Sequence, residues 1–244
     1  MNQASSIVII PTYNEKENID RIIRKILSLD GGFNVLVIDD GSPDGTAGIV
    51  RSLMEQFPQS VFMIERSGKL GLGTAYLTGF SWALERGYEY IIEMDADFSH
   101  NPDDLPRLVM ACALDGADVS IGSRYSKGVS VVNWPIGRLL MSYFASVYVR
   151  LVLGMKVYDN TAGFVCYRRK VLEAIDFDNV RMKGYGFQIE MKYTAYKLGF
   201  KIKEVSVIFV DRTEGTSKMS SSIFGEAFWG VMALRMRKIT GKQH

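Results

Sequence analysis

At 244 residues, 47% of them apolar, the chain is long enough to bury one sizeable core, and its 23% charged residues are ordinary for a globular protein. A formal net charge of +2 argues against a general nucleic-acid binder, while a local basic face could still meet phosphates or an anionic membrane. The two histidines, His100 and His244, are too few for zinc chemistry or a Ser-His-Asp triad, and the distant Cys112 and Cys166 read as reduced thiols of a cytosolic protein.

Met1 to Ser6 lacks a basic n-region and Pro11 cuts the apolar run that follows, so no secretory signal is read. Ile7 to Ile10 is a β-branched strand stopped by Pro11. Over Asn14 to Leu29, Ile19, Ile22, Ile23, Ile26 and Leu27 form one helical stripe. Phe33 to Ile38 is a second strand, ending at Asp39, Asp40 and the turn Gly41 to Gly45. A helix at Thr46 to Phe57, a strand at Val61 to Glu65, a glycine-rich loop at Gly68 to Gly73 and a helix at Thr74 to Arg86 follow. Ile91 to Met94 is the fourth strand, Asp103 to Leu114 a helix and Ala117 to Gly122 the fifth strand. This alternation predicts right-handed βαβ units around a mostly parallel sheet, an α/β fold. Past Arg124 the rhythm breaks. Leu139 to Leu153 is apolar but shorter than the roughly 20 residues of a bilayer span, which makes it a core or interfacial helix. Strands return at Phe164 to Tyr167 and Lys201 to Val210, with a helix near Phe187 to Leu198 between them. The tail from Ser220 is helical, with Ile223, Phe224, Phe228, Val231, Met232 and Leu234 on an apolar side and Arg235, Arg237, Lys238 and Lys242 at its end.

The most pointed motif is Tyr90-Ile-Ile-Glu-Met-Asp95-Ala-Asp97, an apolar run ending in two carboxylates one residue apart. If the run is a strand, both aspartates leave the carboxyl edge of the sheet on the same side, where open α/β folds bind ligands. Two such anions repel unless a cation sits between them, and Mg²⁺ completed by substrate phosphates and water meets that need. The plainer reading is two solvated aspartates capping the next helix. Other motifs fail: Gly71-Leu-Gly73 lacks the third glycine of a dinucleotide fingerprint, Gly68-Lys69 is followed by Leu70 where a P-loop has a hydroxyl, and Arg51 replaces the bidentate Glu that would make Asp40 to Gly45 a calcium loop. A haloacid-dehalogenase phosphatase carries its D-x-D after the first strand, whereas this pair closes the fourth. What remains is three strand ends facing one crevice: Pro11 to Glu15, Asp39-Asp40 and Asp95 to Asp97. The first two can accept hydrogen bonds from base N–H or ribose hydroxyls and Tyr13 can stack on a base, a nucleotide-diphosphate site built largely from acceptors.

Ile10-Pro-Thr-Tyr-Asn-Glu15, Val37-Ile-Asp-Asp-Gly-Ser-Pro-Asp-Gly-Thr46, Met94-Asp-Ala-Asp97 with His100-Asn-Pro102, and Gly122-Ser-Arg-Tyr125 together resemble the family 2 inverting glycosyltransferases of the GT-A fold. Asn160 to Phe164, Gly184 to Glu190 and Arg212 to Lys218 extend the likeness toward members that move mannose from GDP-mannose to a polyprenyl (dolichyl-type) monophosphate. The resemblance implies a single GT-A domain, a Rossmann-like sheet flanked by helices, with a nucleotide-binding part at about 1–125, an acceptor-binding part at about 126–220 and an amphipathic helix at about 221–244. It implies that Pro11, Tyr13, Glu15, Ile38 and Asp40 line the guanosine pocket, and that Asp95, Ala96 and Asp97 meet the diphosphate and Mg²⁺ or Mn²⁺. Many relatives have Gln where Ser99 stands; the shorter Ser99 leaves room for a bridging water to the metal. Arg124, Arg212 and Lys218 would bind donor or acceptor phosphates, with Arg138 and Ser142 at the acceptor entrance. Glu190 stands where hydroxyl-acceptor relatives place their base and here would orient the sugar or an arginine. Each has a plainer alternative: solvated surface arginines, a snorkelling Arg138, a helix-face Glu190, and a turn or cap at His100.

The chemistry agrees independently. A lipid monophosphate, with a second pKa of about 6, is already largely dianionic, so in-line attack on the anomeric carbon with inversion requires no general base. Its tail stays in the bilayer, which places the chain peripherally on the cytoplasmic membrane face through Leu139 to Leu153 and Ser222 to Lys242, with no transmembrane helix and no nucleic-acid partner. Thr213 to Ser221 has the character of a lid. Three rivals stay open: a family 2 enzyme using UDP-glucose or another nucleotide sugar on a lipid phosphate or saccharide, a nucleotidyltransferase, and a nucleotide-sugar-binding or scaffold protein without turnover.

Overall fold

A computed structural model of the chain describes residues 5–182, 184–211 and 222–242. The first half winds β1 (Ser6–Thr12), α1 (Ile19–Leu27), β2 (Phe33–Asp39), α2 (Thr46–Gln56), β3 (Val61–Glu65), α3 (Leu72–Glu85) and β4 (Tyr90–Glu93). The second half holds α4 (Leu105–Ala113), β5 (Val119–Ser123), β6 (Val131–Val132), α5 (Ile136–Leu153), β7 (Val165–Arg168), α6 (Arg169–Ala174), α7 (Tyr185–Lys197), β8 (Ile202–Ser206), β9 (Phe209–Val210) and α8 (Ser222–Met236). Seven strands form one sheet in the order β3-β2-β1-β4-β7-β5-β8, parallel throughout except that β7 runs antiparallel to both neighbours. β6 and β9 pair in parallel as a separate ribbon.

Strand side chains alternate between two cores. Ile7, Ile9, Leu36 and Ile38 pack with Tyr76 and Phe80 of α3, while Val8, Ile10, Val35 and Val37 pack with the isoleucine stripe of α1. Pro11 does not stop β1, contrary to expectation. Ile9 carbonyl accepts Met94 N–H and Thr12 carbonyl accepts Asp40 N–H, so Pro11 faces the β4 side, where pairing with β4 has already ended at Ile9 and Glu93. A missing donor costs nothing there.

Other expectations need correction. Lys201 to Val210 is broken at Val207 and Ile208 into β8 and β9, because β9 leaves the main sheet to join β6. Leu139 to Leu153 begins at Ile136, and of its 18 residues only Ser146, Val149 and Leu153 are buried, so it is no core helix. In α8 Val231 and Leu234 are buried while Phe228, Trp229, Met232 and Met236 are exposed, so its apolar residues face both inward and outward rather than forming one amphipathic side. Thr213 to Ser221 lies outside the described residues.

Candidate functional site

The loops after β1 and β2 are stitched together. Asp39, 1% exposed, accepts hydrogen bonds from Thr12 hydroxyl (2.8 Å), Ser42 N–H (2.9 Å) and Ser42 hydroxyl (2.6 Å), so it holds the turn rather than a ligand. Ser42 hydroxyl in turn accepts Asn14 N–H at 3.0 Å, and Thr46 hydroxyl accepts Glu15 N–H at 3.0 Å. Asn14 sits at φ 60°, the left-handed turn that brings Tyr13 and Glu15 out of the strand. Asp40 pairs with Arg66 through Nε (2.6 Å) and Nη2 (2.5 Å), both side chains nearly buried, and Lys69 Nζ lies 5.2 Å from the centre of the Tyr13 ring. The pocket expected to be built largely from acceptors thus also has two cations beside it, Arg66 and Lys69. Ile38 is fully buried and Ala96 only 4% exposed, so neither side chain offers a surface to a ligand, contrary to the expectation that Ile38 lines the pocket.

β4 ends at Glu93, and Asp95 and Asp97 lie beyond it in an irregular loop, so strand alternation does not set their direction as expected. Phe98 at φ 58° turns the chain, and Asp97 Oδ1 accepts Ser99 N–H at 3.1 Å. His100 Nδ1 accepts Asp95 N–H at 3.1 Å, with its ring stacked on Phe164 at 4.9 Å. Burial pushes the His100 pKa down against the pull of Asp95 and Asp97, so the imidazole is neutral. Among the described residues no group of three or more His, Cys, Asp or Glu gathers, so a cation here would rest on two carboxylates, substrate phosphates and water. Ser99 hydroxyl is buried without a hydrogen-bond partner, an orphan that an ion or its water would satisfy. This oxygen-only donor set fits Mg²⁺ or Mn²⁺.

One cavity of about 520 Å³ brings Asp95, Ser99, Arg124, Arg138 and Ser142 together, floored by Thr161 to Gly163 and Gln188 and walled by α5 and α8. Arg124 is 8% exposed and grips Asp159 in a fork: Nε to Oδ2 at 2.7 Å, Nη2 to Oδ1 at 2.6 Å. Its backbone N–H also reaches Asp159, and Nη2 donates to Thr161 hydroxyl at 2.9 Å. Burial works against the Asp159 charge, but Arg124 and its hydrogen bonds hold the carboxyl below its ordinary range. Arg138 lies over Trp134 at 4.2 Å and pairs with Asp211 at 2.8 Å. Tyr125 hydroxyl donates to Ser142 Oγ at 2.8 Å, which leaves the Ser142 hydrogen available to a phosphate oxygen. Arg212 and Lys218 lie outside the described residues.

Beneath the floor, Gln188 Nε2 donates to Glu93 Oε2 at 2.6 Å, and Lys192 Nζ donates to the carbonyls of Ala162 (2.6 Å), Asn160 (3.2 Å) and Gln188 (3.3 Å). Burial raises the Glu93 pKa to about 8 and lowers that of Lys192 to about 8, each opposed by the partner's charge. Glu190 does not reach the cavity: it accepts Arg181 and Met182 N–H at 2.9 and 2.7 Å and pairs with Arg237, so the expected role of orienting an arginine applies to the tail. Sequence reading missed Arg66, Asp159, Gln188 and Lys192. The segments Asn160 to Phe164 and Gly184 to Glu190 flagged the neighbourhood, but a lone Lys or Asp reads as surface until its partners are known.

Residues 7–176 match the Glycosyl transferase family 2 sequence profile. The chain is 47% identical over 231 residues to the polyprenol monophosphomannose synthase of Mycolicibacterium smegmatis, covering 93% of this chain and 87% of that protein. It is 45% identical over 232 residues to the undecaprenyl-phosphate mannosyltransferase of Micrococcus luteus, covering 93% and 94%. Among solved structures, glucosyl-3-phosphoglycerate synthase from Mycobacterium tuberculosis, in complex with Mn²⁺, uridine diphosphate and glucosyl-3-phosphoglycerate, superposes with a TM-score of 0.65 at 20% identity over 95% of this chain and 80% of that one. At that identity the likeness is one of fold, the GT-A arrangement of a mostly parallel sheet between helices.

Proposed function

The chain belongs to glycosyl transferase family 2, and from that premise we propose that it moves mannose from GDP-mannose to a polyprenyl monophosphate, giving polyprenyl phosphate mannose and GDP with inversion. The observation that carries this reading is the single cavity shared by the acidic Asp95 loop and the arginines Arg124 and Arg138, between walls of apolar side chains. Such a cavity suits two phosphorylated molecules, one bearing a lipid.

Pro11, Tyr13, Glu15 and Asp40 receive the nucleoside, with Asp40 held in place by Arg66. Asp95, Asp97 and Ser99, directly or through water, are the residues that would hold Mg²⁺ or Mn²⁺, which when bound neutralises charge on the leaving diphosphate. Arg124 offers a guanidinium immobilised by Asp159, and Arg138 one that Asp211 and Trp134 orient; with Ser142, and with Arg212 and Lys218, they bind donor and acceptor phosphates. The acceptor phosphate oxygen attacks the anomeric carbon in line and needs no proton removed, consistent with a cavity whose neighbouring Glu190 is already engaged elsewhere.

The lipid reaches the cavity along an apolar face. Leu140, Met141, Phe144 and Leu151 of α5 and Phe228, Trp229, Met232 and Met236 of α8 are all exposed, a patch of the kind that lies against membranes. α5 is also long and apolar enough to cross a bilayer by length and composition, but Ser146, Val149 and Leu153 tie it to the core and Met141, Phe144 and Tyr148 line the cavity, which favours lying on the cytoplasmic membrane surface.

Incubation with radiolabelled GDP-mannose, Mg²⁺ and a short polyprenyl phosphate, followed by organic extraction, tests the reading. Label moves into the organic phase, and chelation of the metal abolishes the transfer. Transfer from UDP-glucose in preference to GDP-mannose would overturn the donor; label remaining wholly in water would overturn the reaction.

A further inference from the structure

The turn that carries Asp159 and Thr161 is held from inside the protein by a lysine. Lys192 lies on α7 with no exposed surface, and its ammonium donates to the carbonyls of Ala162 (2.6 Å), Asn160 (3.2 Å) and Gln188 (3.3 Å), with Gln188 Oε1 further off at 3.5 Å. An ammonium has three hydrogens, and here each meets a carbonyl. Such a position is costly. Burial lowers the Lys192 pKa to about 8 against the opposing pull of Glu93 and Asp159, and a methionine would fill a similar volume without desolvating a charge. Packing alone does not call for lysine here.

What this lysine does and an apolar side chain cannot do is gather the chain on both sides of one residue. Asn160 and Ala162 flank Thr161, and their two carbonyls converge on the same nitrogen. The stretch is tied elsewhere too: Asn160 Nδ2 donates to the carbonyls of Val157 (2.9 Å) and of Ser146 in α5 (3.3 Å), and Asp159 N–H donates to Glu204 of β8 at 2.9 Å. Both side-chain acceptors that it presents, the Asp159 carboxylate and the Thr161 hydroxyl, meet Arg124. Arg124 Nη2 is shared between Asp159 Oδ1 at 2.6 Å and Thr161 Oγ1 at 2.9 Å, so the plane of the guanidinium follows the relative placement of these two residues. Arg124, Thr161 and Ala162 line the cavity, and Lys192 lies behind them.

We propose that Lys192 is a positioning residue for phosphate binding: by fixing the turn from Asp159 to Ala162 it sets the angle at which the Arg124 guanidinium faces the cavity. This rests on the reading of Arg124 as a side chain that binds a substrate phosphate. Lys192 touches no substrate and acts only through the turn and Arg124, which separates it from a residue that merely fills the core.

The test is a double-mutant cycle read as kcat/KM for transfer to a short polyprenyl phosphate, with Mg²⁺ and whichever of GDP-mannose and UDP-glucose the wild type prefers. Lys192→Met is made in the wild type and in Arg124→Lys, whose ammonium keeps the charge but cannot form the fork to Asp159 and Thr161. In the wild type Lys192→Met lowers kcat/KM about tenfold or more, the scale of a misplaced binding group. In Arg124→Lys the same substitution costs about twofold or less, because there is no fork left to align. Lys192→Gln, which keeps two of the three hydrogens on a side chain one bond shorter, serves the same cycle if Lys192→Met does not melt cooperatively. An equal loss in both backgrounds would mean a general structural role and overturn the proposal, as would undiminished transfer in the wild-type background. A wild type that transfers from neither donor removes the reading of Arg124 and this proposal together, whereas an active wild type with an equally active Lys192→Met removes the proposal alone.

Discussion

Arg124 turns its fork toward Asp159, not toward solvent, and the pair is almost wholly buried. Removing one partner of such a pair leaves an uncompensated charge, so Asp159→Asn is expected to lower stability by about 3 kcal/mol, read from the midpoint of urea unfolding. A midpoint unchanged from wild type would mean that Arg124 finds solvent or another partner. Lys192 makes a second expectation. Its folded pKa is lowered to about 8 by burial, below the unfolded value near 10.4. Between those two values the unfolded chain binds the extra proton, so this residue's contribution to stability grows as pH rises from about 8 and is lost as pH falls through about 8. Lys192→Met should flatten that part of the melting-temperature profile; an identical slope in both proteins would contradict it. At this scale Asp95 and Arg124, which the structure brings to one cavity, stood out in the sequence because motif spacing is local. Asp159 and Lys192 were not, since their chemistry is set by partners distant in sequence.

At the scale of elements, α3 packs against β1 through a glycine. A Cβ at Gly79 would lie 2.7 Å from Ile9 Cγ2 and 2.9 Å from Cδ1, and Ile9 is itself fully buried. Alanine gains up to about 1 kcal/mol of helix propensity in mid-helix, against about 1–3 kcal/mol for overpacking a closed core. Packing wins, so Gly79→Ala should lower stability by about 1 kcal/mol or more in thermal melting. A more stable variant would show that α3 can shift outward. The βαβ elements of the first half were readable because each strand and helix carries its own apolar period. In the second half β7, α7 and β8 were readable in the same way, but their arrangement was not: β7 enters between β4 and β5 against the prevailing direction, and α5 keeps only three buried residues in eighteen.

On the scale of the whole molecule, α5 and α8 give exposed apolar side chains to the cavity (Met141, Phe144, Phe228) and others to solvent (Leu151, Trp229), so the membrane contact and the reaction site proposed above would share one face. Leu151 and Trp229 are 75% and 72% exposed and do not line the cavity. Burying two such side chains in a membrane contributes about 2 kcal/mol or more, so Leu151→Ser with Trp229→Ser should weaken vesicle co-sedimentation about tenfold or more. Transfer to a short, water-soluble polyprenyl phosphate should persist. Undiminished co-sedimentation would place the membrane contact elsewhere.

The amino-acid order alone determined the α/β winding, the family resemblance and the location of the acidic loop, because these depend on residues within a few positions of one another. Tertiary structure alone decided which charges meet: Arg124 with Asp159 across 35 positions, Arg138 with Asp211 across 73 and Gln188 with Glu93 across 95. Burial sets the strength of those pairs and the state of each proton, and burial is a property of the packed sheet and its helices that no single segment carries.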